Sequence, residues 1–372
     1  MIDTPEILSV GDDEIVLGYP AILGPLEVEP AIGEHASTQV SGPPEIIEPA
    51  RVMRHSGLTP DTTYNFDGVT LRTLARPEGE LLVTLATVTD LHFGETVTGI
   101  LGSVNTSPRF HRGEGALSHP VLMNSMAVKS IADHETRIGR EFDFIVAKGD
   151  LTNRGSREEF DQFTGHYVSR FGSRLGYIRG NHDAKAASVV PGISVDSLEL
   201  PGVTLCLVDT TITDVDSGQV SPRQVSQIQE VVRDRDHLVF IFGHHHPFSP
   251  DSTRVDPNYF GLDPDSSRRL VDLIQDNRNV VGYFCGHTHR NRVRYFSATG
   301  PVPYVETACV KDFPGSWTEY RIFEGGTLQI SRRIDDPDAL AWSEANRMIY
   351  AGLYPGYALG QPTDRSINID YR

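Results

Sequence analysis

The chain has 372 residues, of which 38% are hydrophobic, 8% aromatic and 22% charged. This composition is ordinary for a globular protein and excludes a fibrous or wholly disordered chain. At about 150 residues per domain, the length predicts roughly two domains. No stretch approaches the roughly 20 continuous apolar residues needed to cross a bilayer, so we expect no membrane partner.

The charge balance is strongly acidic. Lys and Arg number 33 against 50 Asp and Glu, which gives a formal net charge of −17. An acidic surface repels polyanions, so we expect no long nucleic acid as a partner. A small phosphorylated substrate remains compatible with this charge, provided that its site carries cations of its own. A homodimer is left open.

The three cysteines, Cys206, Cys285 and Cys309, are too few and too scattered to suggest a disulfide framework. Two of them lie in apolar, strand-like runs, so we predict buried, reduced thiols. The first residues have neither the basic nor the apolar region of a signal peptide. Together these features predict a cytoplasmic location.

Residues 1–76 are predicted to form a small β domain, because short apolar runs alternate there with Gly- and Pro-rich turns. Leu58, Pro60, Thr62 and Tyr64 form the pattern L-x-P-x-T-x-Y, which resembles the tyrosine corner of fibronectin type III sandwiches. The segment is short for a complete sandwich, so the resemblance implies a truncated one. An irregular arm packed on the main domain is the alternative.

From Glu80 the pattern changes to strands alternating with helices, and we assign residues 80–335 to one domain. The main predicted strands are Leu81–Thr89, Phe142–Ala147, Leu175–Arg179, Val203–Val208, Leu238–Phe242 and Val280–Cys285. The predicted helices are Val121–Thr136, Ser156–Phe171, Ser221–Arg233 and Ser266–Asp276. Residues 336–372 are predicted to be a helix and an ordered irregular tail that caps this domain.

Five short polar motifs stand where predicted strands end. They are Asp90-Leu91-His92, Gly149-Asp150, Gly180-Asn181-His182-Asp183, Gly243-His244-His245-His246-Pro247 and Gly286-His287-Thr288-His289. Sites in α/β sheets gather at the carboxyl ends of strands, so we expect these side chains to converge. His and carboxylate groups are ligands for Zn, Mn or Fe, and an Asn carbonyl suits the harder of these metals.

In this order, the five motifs resemble those of the calcineurin-like metallophosphoesterases over roughly Leu81–Arg333. The resemblance implies an α/β fold, a four-layer α/β/β/α sandwich, here with a small N-terminal β domain and an ordered C-terminal tail. It also implies two divalent or trivalent metal ions, Mn, Fe or Zn, as cofactors.

The resemblance further implies a role for each motif residue. The first metal would be held by Asp90, His92 and His289, and Asp150 would bridge to the second metal. The second would be held by Asn181, His287 and one histidine of the triple. The family's spacing to proline selects His245, which we assign, whereas the Gly-His pairing selects His244. The catalytic residues would be His182, beside the substrate phosphate, and Asp183, holding His182 in place.

The implied activity is hydrolysis of a phosphodiester, either a cyclic nucleotide or a small diester, by a metal-bridging hydroxide. A phosphomonoesterase of the same superfamily is one alternative. A non-catalytic metal-binding scaffold is an alternative from another class. Purple acid phosphatases typically place a Tyr three residues after the bridging Asp, where this chain has Asn153, which argues against that branch. The loop over 94–119 leaves open substrate contacts by Arg109, His111, Arg112 or His119.

Overall fold

The structure, a computed structural model, describes residues 5–25, 28–29, 39–40, 44–99, 110, 112, 115–233, 236–252, 254–256 and 258–372. Its N-terminal strands are β1 (Glu6–Val10), β2 (Glu14–Tyr19), β3 (Ile22–Leu23), β4 (Val28–Glu29), β5 (Gln39–Val40), β6 (Ile46–Glu48), β7 (Arg51–Ser56), β8 (Thr63–Phe66) and β9 (Val69–Arg72). They form an antiparallel sheet in the order β1-β2-β7 and three two-stranded pairs.

A small apolar core lies beneath this N-terminal sheet, with Ile15 and Leu17 fully buried. The backbone N–H of Thr59 donates to the hydroxyl oxygen of Tyr64 at 2.9 Å, a contact of the kind made in a tyrosine corner. The likeness to a fibronectin type III sandwich and the boundary at residue 76 stay predictions.

Two six-stranded sheets form the main body. The first has the order β12-β11-β10-β19-β20-β21, and the second has the order β13-β14-β15-β16-β18-β17. Their strands are β10 (Leu81–Val88), β11 (Phe144–Lys148), β12 (Leu175–Ile178), β13 (Val195–Leu200), β14 (Val203–Val208), β15 (Leu238–Phe242), β16 (Val280–Cys285), β17 (Arg292–Tyr295), β18 (Pro303–Glu306), β19 (Ser316–Phe323), β20 (Gly326–Arg333) and β21 (Ser366–Asp370).

Helices cover the outer face of each sheet. They are α1 (His119–Ile138), α2 (Arg157–Phe163), α3 (Ser169–Phe171), α4 (Pro222–Val231), α5 (Pro264–Asp276), α6 (Pro337–Ala345), α7 (Tyr354–Leu359) and α8 (Pro362–Arg365). The core between the sheets includes Leu85, Phe242 and Phe284, while separate cores join the first sheet to α1 and α2 and the second to α4 and α5. The four-layer α/β/β/α sandwich is therefore confirmed.

Helix starts follow the local sequence. Ser156 caps α2 in a reciprocal box with Glu159, and Ser221 caps α4 ahead of a proline at its first position. The single helix predicted over Ser156–Phe171 is instead interrupted by a π-helical turn at Thr164–Val168.

The strand directions bring the five motifs together. Strand β10 runs parallel to β11, which runs parallel to β12, and β15 runs parallel to β16. The loops after these strands carry the motifs and meet at one edge of the sandwich.

The C-terminal residues depart from the predicted irregular tail. A 3₁₀ segment at Asn346–Gly352 and the short helices α7 and α8 lead into β21. This strand pairs antiparallel with β20 and so completes the first sheet. Trp342 and Tyr354 are buried in the core that joins α1 to the first sheet, so the segment is packed into that layer.

The cysteines and the helices bear on two further expectations. Cys206, Cys285 and Cys309 are all buried and unpaired, as predicted. Within the described ranges, no helix combines the length and apolar character that a bilayer crossing requires.

Candidate metal centre

Five of the predicted ligand residues have left-handed backbones at the ends of their strands. The φ angles are 53° for Asp90, 47° for His92, 48° for Asp150, 69° for His287 and 55° for His289. Residues other than glycine seldom adopt this conformation because it strains the backbone, and such strain is typically found at functional sites. Each of these strands therefore ends in a tight turn, and the turn directs the predicted ligand side chains towards the shared edge.

Asp150 occupies the centre of the cluster. Its Oδ2 atom lies 3.5 Å from Nε2 of His92 and 3.4 Å from Nε2 of His244. The side chain is 2% exposed. One carboxylate oxygen thus lies between the imidazoles of His92 and His244.

The first group consists of Asp90, His92 and His289, whose ligand atoms all lie within 4.8 Å of one another. Oδ1 of Asp90 is 3.4 Å from Nε2 of His289. The carboxylate of Asp90 also accepts the backbone N–H of His287 at 3.1 Å, which ties the two histidine turns to the first strand.

The second group contains His244, His245 and His287, again within 4.8 Å. Nε2 of His244 lies 3.3 Å from Oδ1 of Asn181, and its Nδ1 lies 2.8 Å from the Lys148 carbonyl oxygen. Nε2 of His287 donates to the Phe260 carbonyl at 2.9 Å, which leaves its Nδ1 for the site.

We propose His244, rather than His245 that the proline spacing selects, as the ligand of the second metal. Nε2 of His244 contacts both Asn181 and Asp150, whereas His245 contacts the Thr210 hydroxyl through Nδ1 at 2.8 Å and its Nε2 is buried without a partner in the described chain. The Gly-His pairing, the alternative from the sequence, gives the better account of these contacts.

The side chains present fit metal binding. Both ring nitrogens of His92 and Nε2 of His245 are buried without a hydrogen-bond partner in the described chain. Burial lowers the pKa of His92 to about 3, and it holds those of His245 and His287 well below the ordinary value. These histidines are therefore neutral, the form that coordinates metals.

His244 differs electrostatically from the other three. Burial lowers its pKa, but the Asp150 and Asp90 carboxylates and the Lys148 carbonyl together outweigh burial and raise the pKa to about 9. The contact between His244 and Asp150 holds the pKa of Asp150 well below its usual range, against the effect of burial. A cation at this point would take over the role of the proton on His244.

Asn181 is oriented by a residue that the sequence did not single out. Its amide Nδ2 donates to Oδ1 of Asp216 at 3.2 Å. The carbonyl oxygen Oδ1 is thereby directed towards His244 and the shared carboxylate, as a metal ligand requires.

His182 lies beside the first group but is not held by Asp183, so that part of the prediction is wrong. Nδ1 of His182 donates to the Asn153 carbonyl at 2.8 Å, and its backbone N–H donates to Asp150 at 2.9 Å. The carboxylate of Asp183 instead accepts backbone N–H groups of Leu151, Thr152 and Gly180. It is fully buried and fastens the Asp150 loop to the Asn181 loop.

A charged cluster beyond the first group was missed. Nζ of Lys311 lies 2.9 Å from Glu95 Oε1 and 3.1 Å from Asp312 Oδ2, and Asp312 accepts the Tyr354 hydroxyl at 2.7 Å. Donor atoms of His289, Cys309 and Asp312 lie within 4.8 Å of one another. No periodicity marks the run that contains Lys311 and Asp312, and only the position of Glu95 shortly after His92 hinted at it.

His119, at the end of the long loop, packs inside the protein. This imidazole is buried, binds Glu95 at 2.7 Å and stacks on Trp342 at 4.7 Å between ring centroids. Arg112 is partly buried, while Arg109 and His111 lie outside the described residues.

Comparison with known proteins places the chain in a family. The calcineurin-like phosphoesterase model matches residues 84–291, more than half of the chain. The chain therefore belongs to the calcineurin-like phosphoesterases, metal-dependent hydrolases of phosphoric esters for which a dimetal centre is expected. No curated protein gives a match.

One solved structure shows the same fold at low sequence identity, and a second is a weaker match. A dimetal phosphatase from Danio rerio is 14% identical, covers 79% of this chain and 100% of its own, and has a TM-score of 0.54. A purple acid phosphatase from yellow lupin seeds is 13% identical, covers 90% of this chain and 72% of its own, and has a TM-score of 0.44. The likeness to the dimetal phosphatase concerns the fold alone and leaves the substrate undefined.

Proposed function

We propose that this protein hydrolyses a small phosphodiester at a dinuclear centre of manganese, iron or zinc. The observation that carries the proposal is the position of Asp150 Oδ2, which lies 3.5 Å from one candidate ligand group and 3.4 Å from the other. The first metal would be held by Asp90, His92 and His289, and the second by Asn181, His244 and His287. Asp150 would belong to both.

When bound, the two metal ions supply positive charge for the phosphate and activate water for attack at phosphorus. His182 would face the substrate, because its Nδ1 is bound to the Asn153 carbonyl and its Nε2 is left for the site. That nitrogen can carry a proton to the departing oxygen. Asp183 would act as a positioning residue, since its carboxylate binds only backbone N–H groups and the Thr152 hydroxyl.

Three cations near the centre are already engaged by protein groups, which supports a diester over a monoester. A monoester carries a second negative charge, which an additional free cation would stabilise. Lys148 is buried and bound to the Cys285 carbonyl and the Thr307 hydroxyl, at 2.9 and 2.6 Å. Lys311 is neutralised by Glu95 and Asp312, at 2.8 and 3.1 Å.

Arginine beside the centre is engaged as well. The Arg290 guanidinium, next to His289, is 3.1 Å from the fully buried Glu306 carboxylate. None of these three cations is therefore free to bind the extra charge of a monoester.

A substrate panel tests the proposal. Protein reconstituted with manganese would be assayed on bis(4-nitrophenyl) phosphate, 4-nitrophenyl phosphate and a cyclic nucleotide, with the metal-stripped protein as control. We expect kcat/KM for the aryl diester to exceed that for the aryl monoester by about 10-fold or more. A reversed order would indicate a phosphomonoesterase. Two bound metals without turnover of any ester would indicate a non-catalytic scaffold.

A further inference from the structure

Exposed aromatic side chains are rare in this protein and are concentrated at the metal centre. The sequence has 16 Phe, 13 Tyr and 2 Trp, all within the described ranges. Just three of them are about half exposed, namely Phe260 at 40%, Tyr295 at 52% and Tyr357 at 40%. Two of the three, Phe260 and Tyr357, contact the turn that carries His287 and His289.

Phe260 is fixed against a ligand of the second metal. Its ring centroid lies 4.9 Å from that of His287 and 5.5 Å from that of His246. Its carbonyl accepts the Nε2 proton of His287 at 2.9 Å. The ring therefore has a defined position one side chain away from the proposed phosphate site.

The backbone around Phe260 is anchored although the ring is exposed. The N–H of Leu262 donates to the His246 carbonyl at 2.9 Å, and the N–H of Gly218 donates to the Gly261 carbonyl at 3.0 Å. A Cβ atom at Gly261 would come within 2.4 Å of the His246 carbonyl, so the chain there is closely packed. The exposure of Phe260 is thus a property of a well-packed segment.

Tyr357 holds the other side of the same turn. Its hydroxyl donates to the Thr288 carbonyl at 2.9 Å, between His287 and His289, and the Arg290 guanidinium carbon lies 5.0 Å from its ring centroid. The next residue, Ala358, accepts the backbone N–H of Asn291 at 3.0 Å. The C-terminal segment thereby presents an aromatic ring at the rim of the centre.

We infer that Phe260 forms a subsite for a flat aromatic ring carried by one of the alcohols esterified to the phosphate, beside the turn that Tyr357 holds in place. Half-exposed rings are costly in water, and an aromatic ligand group covers them with favourable stacking. The ligand class is an aryl or nucleoside phosphodiester. This inference rests on the proposed function and adds to it the nature of the substrate alcohol.

Two diesters with one leaving group test the subsite. They are thymidine 5′-(4-nitrophenyl) phosphate and ethyl 4-nitrophenyl phosphate, which differ in whether the second alcohol carries a ring. For the manganese-loaded enzyme we expect kcat/KM to be at least about 10-fold higher for the thymidine ester, within the range of one base stacked on an aromatic side chain. Phenyl 4-nitrophenyl phosphate distinguishes a simple aryl group from a nucleobase as the source of the preference.

Variants locate the preference. Phe260→Leu keeps apolar area but removes the aromatic face, and we expect it to lower the thymidine-to-ethyl ratio about 5-fold or more, mainly through KM. Phe260→Tyr should preserve the ratio. Tyr295→Leu, which removes an exposed aromatic ring on β17, is the matched control and should also preserve it.

The outcomes separate the inference from the function on which it rests. Hydrolysis of all three esters at similar kcat/KM would overturn the aromatic subsite while supporting the diesterase. A preference that survives Phe260→Leu, or that Tyr295→Leu lowers equally, would also overturn the subsite. Failure to hydrolyse any of the esters with two metals bound would reject both.

Discussion

The consecutive histidines after β15 differ in what their ring nitrogens contact. His244 lies between the Lys148 carbonyl and the Asn181 and Asp150 side-chain oxygens. His245 is bound through Nδ1 to the Thr210 hydroxyl. The two imidazole planes are nearly perpendicular, at 88°, so their ring nitrogens point in different directions.

Replacing each histidine in turn tests which one binds the second metal. We expect His244→Ala to lower bound metal from two equivalents towards one, because it removes the nitrogen nearest to Asn181 and Asp150. His245→Ala should retain most of the second equivalent. Elemental analysis of the two purified variants checks this, and the reversed pattern would return the ligand to His245.

His182 allows a test of proton transfer that is independent of metal content. If its Nε2 protonates the departing oxygen, His182→Ala should slow hydrolysis of a cyclic nucleotide by about 10²–10⁴-fold. An activated aryl diester, whose leaving group needs no proton, should be slowed much less. Rates on both substrates, measured at equal metal occupancy, check this. Equal losses would assign His182 to charge stabilisation at the phosphate instead.

The sequence predicted the residue types at the centre better than their supporting contacts. Spacing of two residues placed Asp90 with His92 and His287 with His289; in the structure Asp90, His92 and His289 form one group, while His287 lies in the other. The choice within the histidine triple depends on how the turn after Phe242 is directed, which spacing does not define. Asp183 looked like a partner for the adjacent His182, yet it binds backbone N–H groups 31 and 32 residues away in sequence.

Among the structural elements, the turns after the strands need close backbone contact. Gly286 directly precedes His287, and a Cβ atom there would come within 1.9 Å of Thr89 Oγ1 and 2.7 Å of Asp90 Oδ2. Thr89 and Asp90 follow β10, so Gly286 allows a loop of the second sheet to lie directly against a loop of the first. The proposed dinuclear arrangement depends on this close contact between the two loops.

Gly286→Ala is therefore expected to separate the two loops and weaken the first metal site. We expect at least about a 10-fold loss of diesterase activity together with a lower metal content, because the overlap requires backbone movement. Gly165→Ala is the control, since no atom lies within 4 Å of the Cβ position there. Metal analysis and kcat/KM of both variants check the prediction, and full metal content in Gly286→Ala would contradict it.

Central strands were predictable and edge strands were not. Val203–Val208, Leu238–Phe242 and Val280–Cys285 appear with the predicted bounds, because each is a continuous apolar run between two faces. Val195–Leu200 and Ser366–Asp370 are edge strands with mixed polar sequence. They exist because a neighbouring strand offers backbone groups, which is a tertiary effect.

At the scale of the whole molecule, buried ion pairs join the N-terminal sheet to the first sheet of the sandwich. Arg332 binds both Glu14 and Glu319, and Glu14 also binds Arg54 at 2.7 Å. Arg321 links Glu319 to Asp12 at 2.8 and 2.7 Å. Partners more than 300 residues apart in sequence cannot be paired by pattern, so this junction was not predictable.

Glu14 gives the junction a pH dependence with a definite sign. Burial raises its pKa, but Arg332 and Arg54 outweigh burial and lower it to about 2. The depressed pKa means that Glu14 stabilises the fold above its unfolded pKa of about 4.5, and that this contribution is lost as the pH falls towards 2.

We therefore expect Glu14→Gln to lower the free energy of unfolding at pH 7 by about 3 kcal/mol, since it leaves Arg332 partly uncompensated. The difference from wild type should shrink as the pH falls from about 4.5 towards 2. Denaturant unfolding at several pH values measures it. Asp133→Asn, which removes an exposed ion pair with Lys129, is the control. A deficit that stayed constant with pH would contradict the assignment.

Stepwise metal titration of the stripped protein, with bound metal and hydrolysis of bis(4-nitrophenyl) phosphate followed together, tests the dinuclear centre most directly. We predict two manganese equivalents per chain, activity that develops mainly with the second equivalent, and fewer than two equivalents with almost no turnover in Asp150→Asn. Full activity with one equivalent, or an Asp150→Asn variant that binds two metals and turns over normally, would contradict the account.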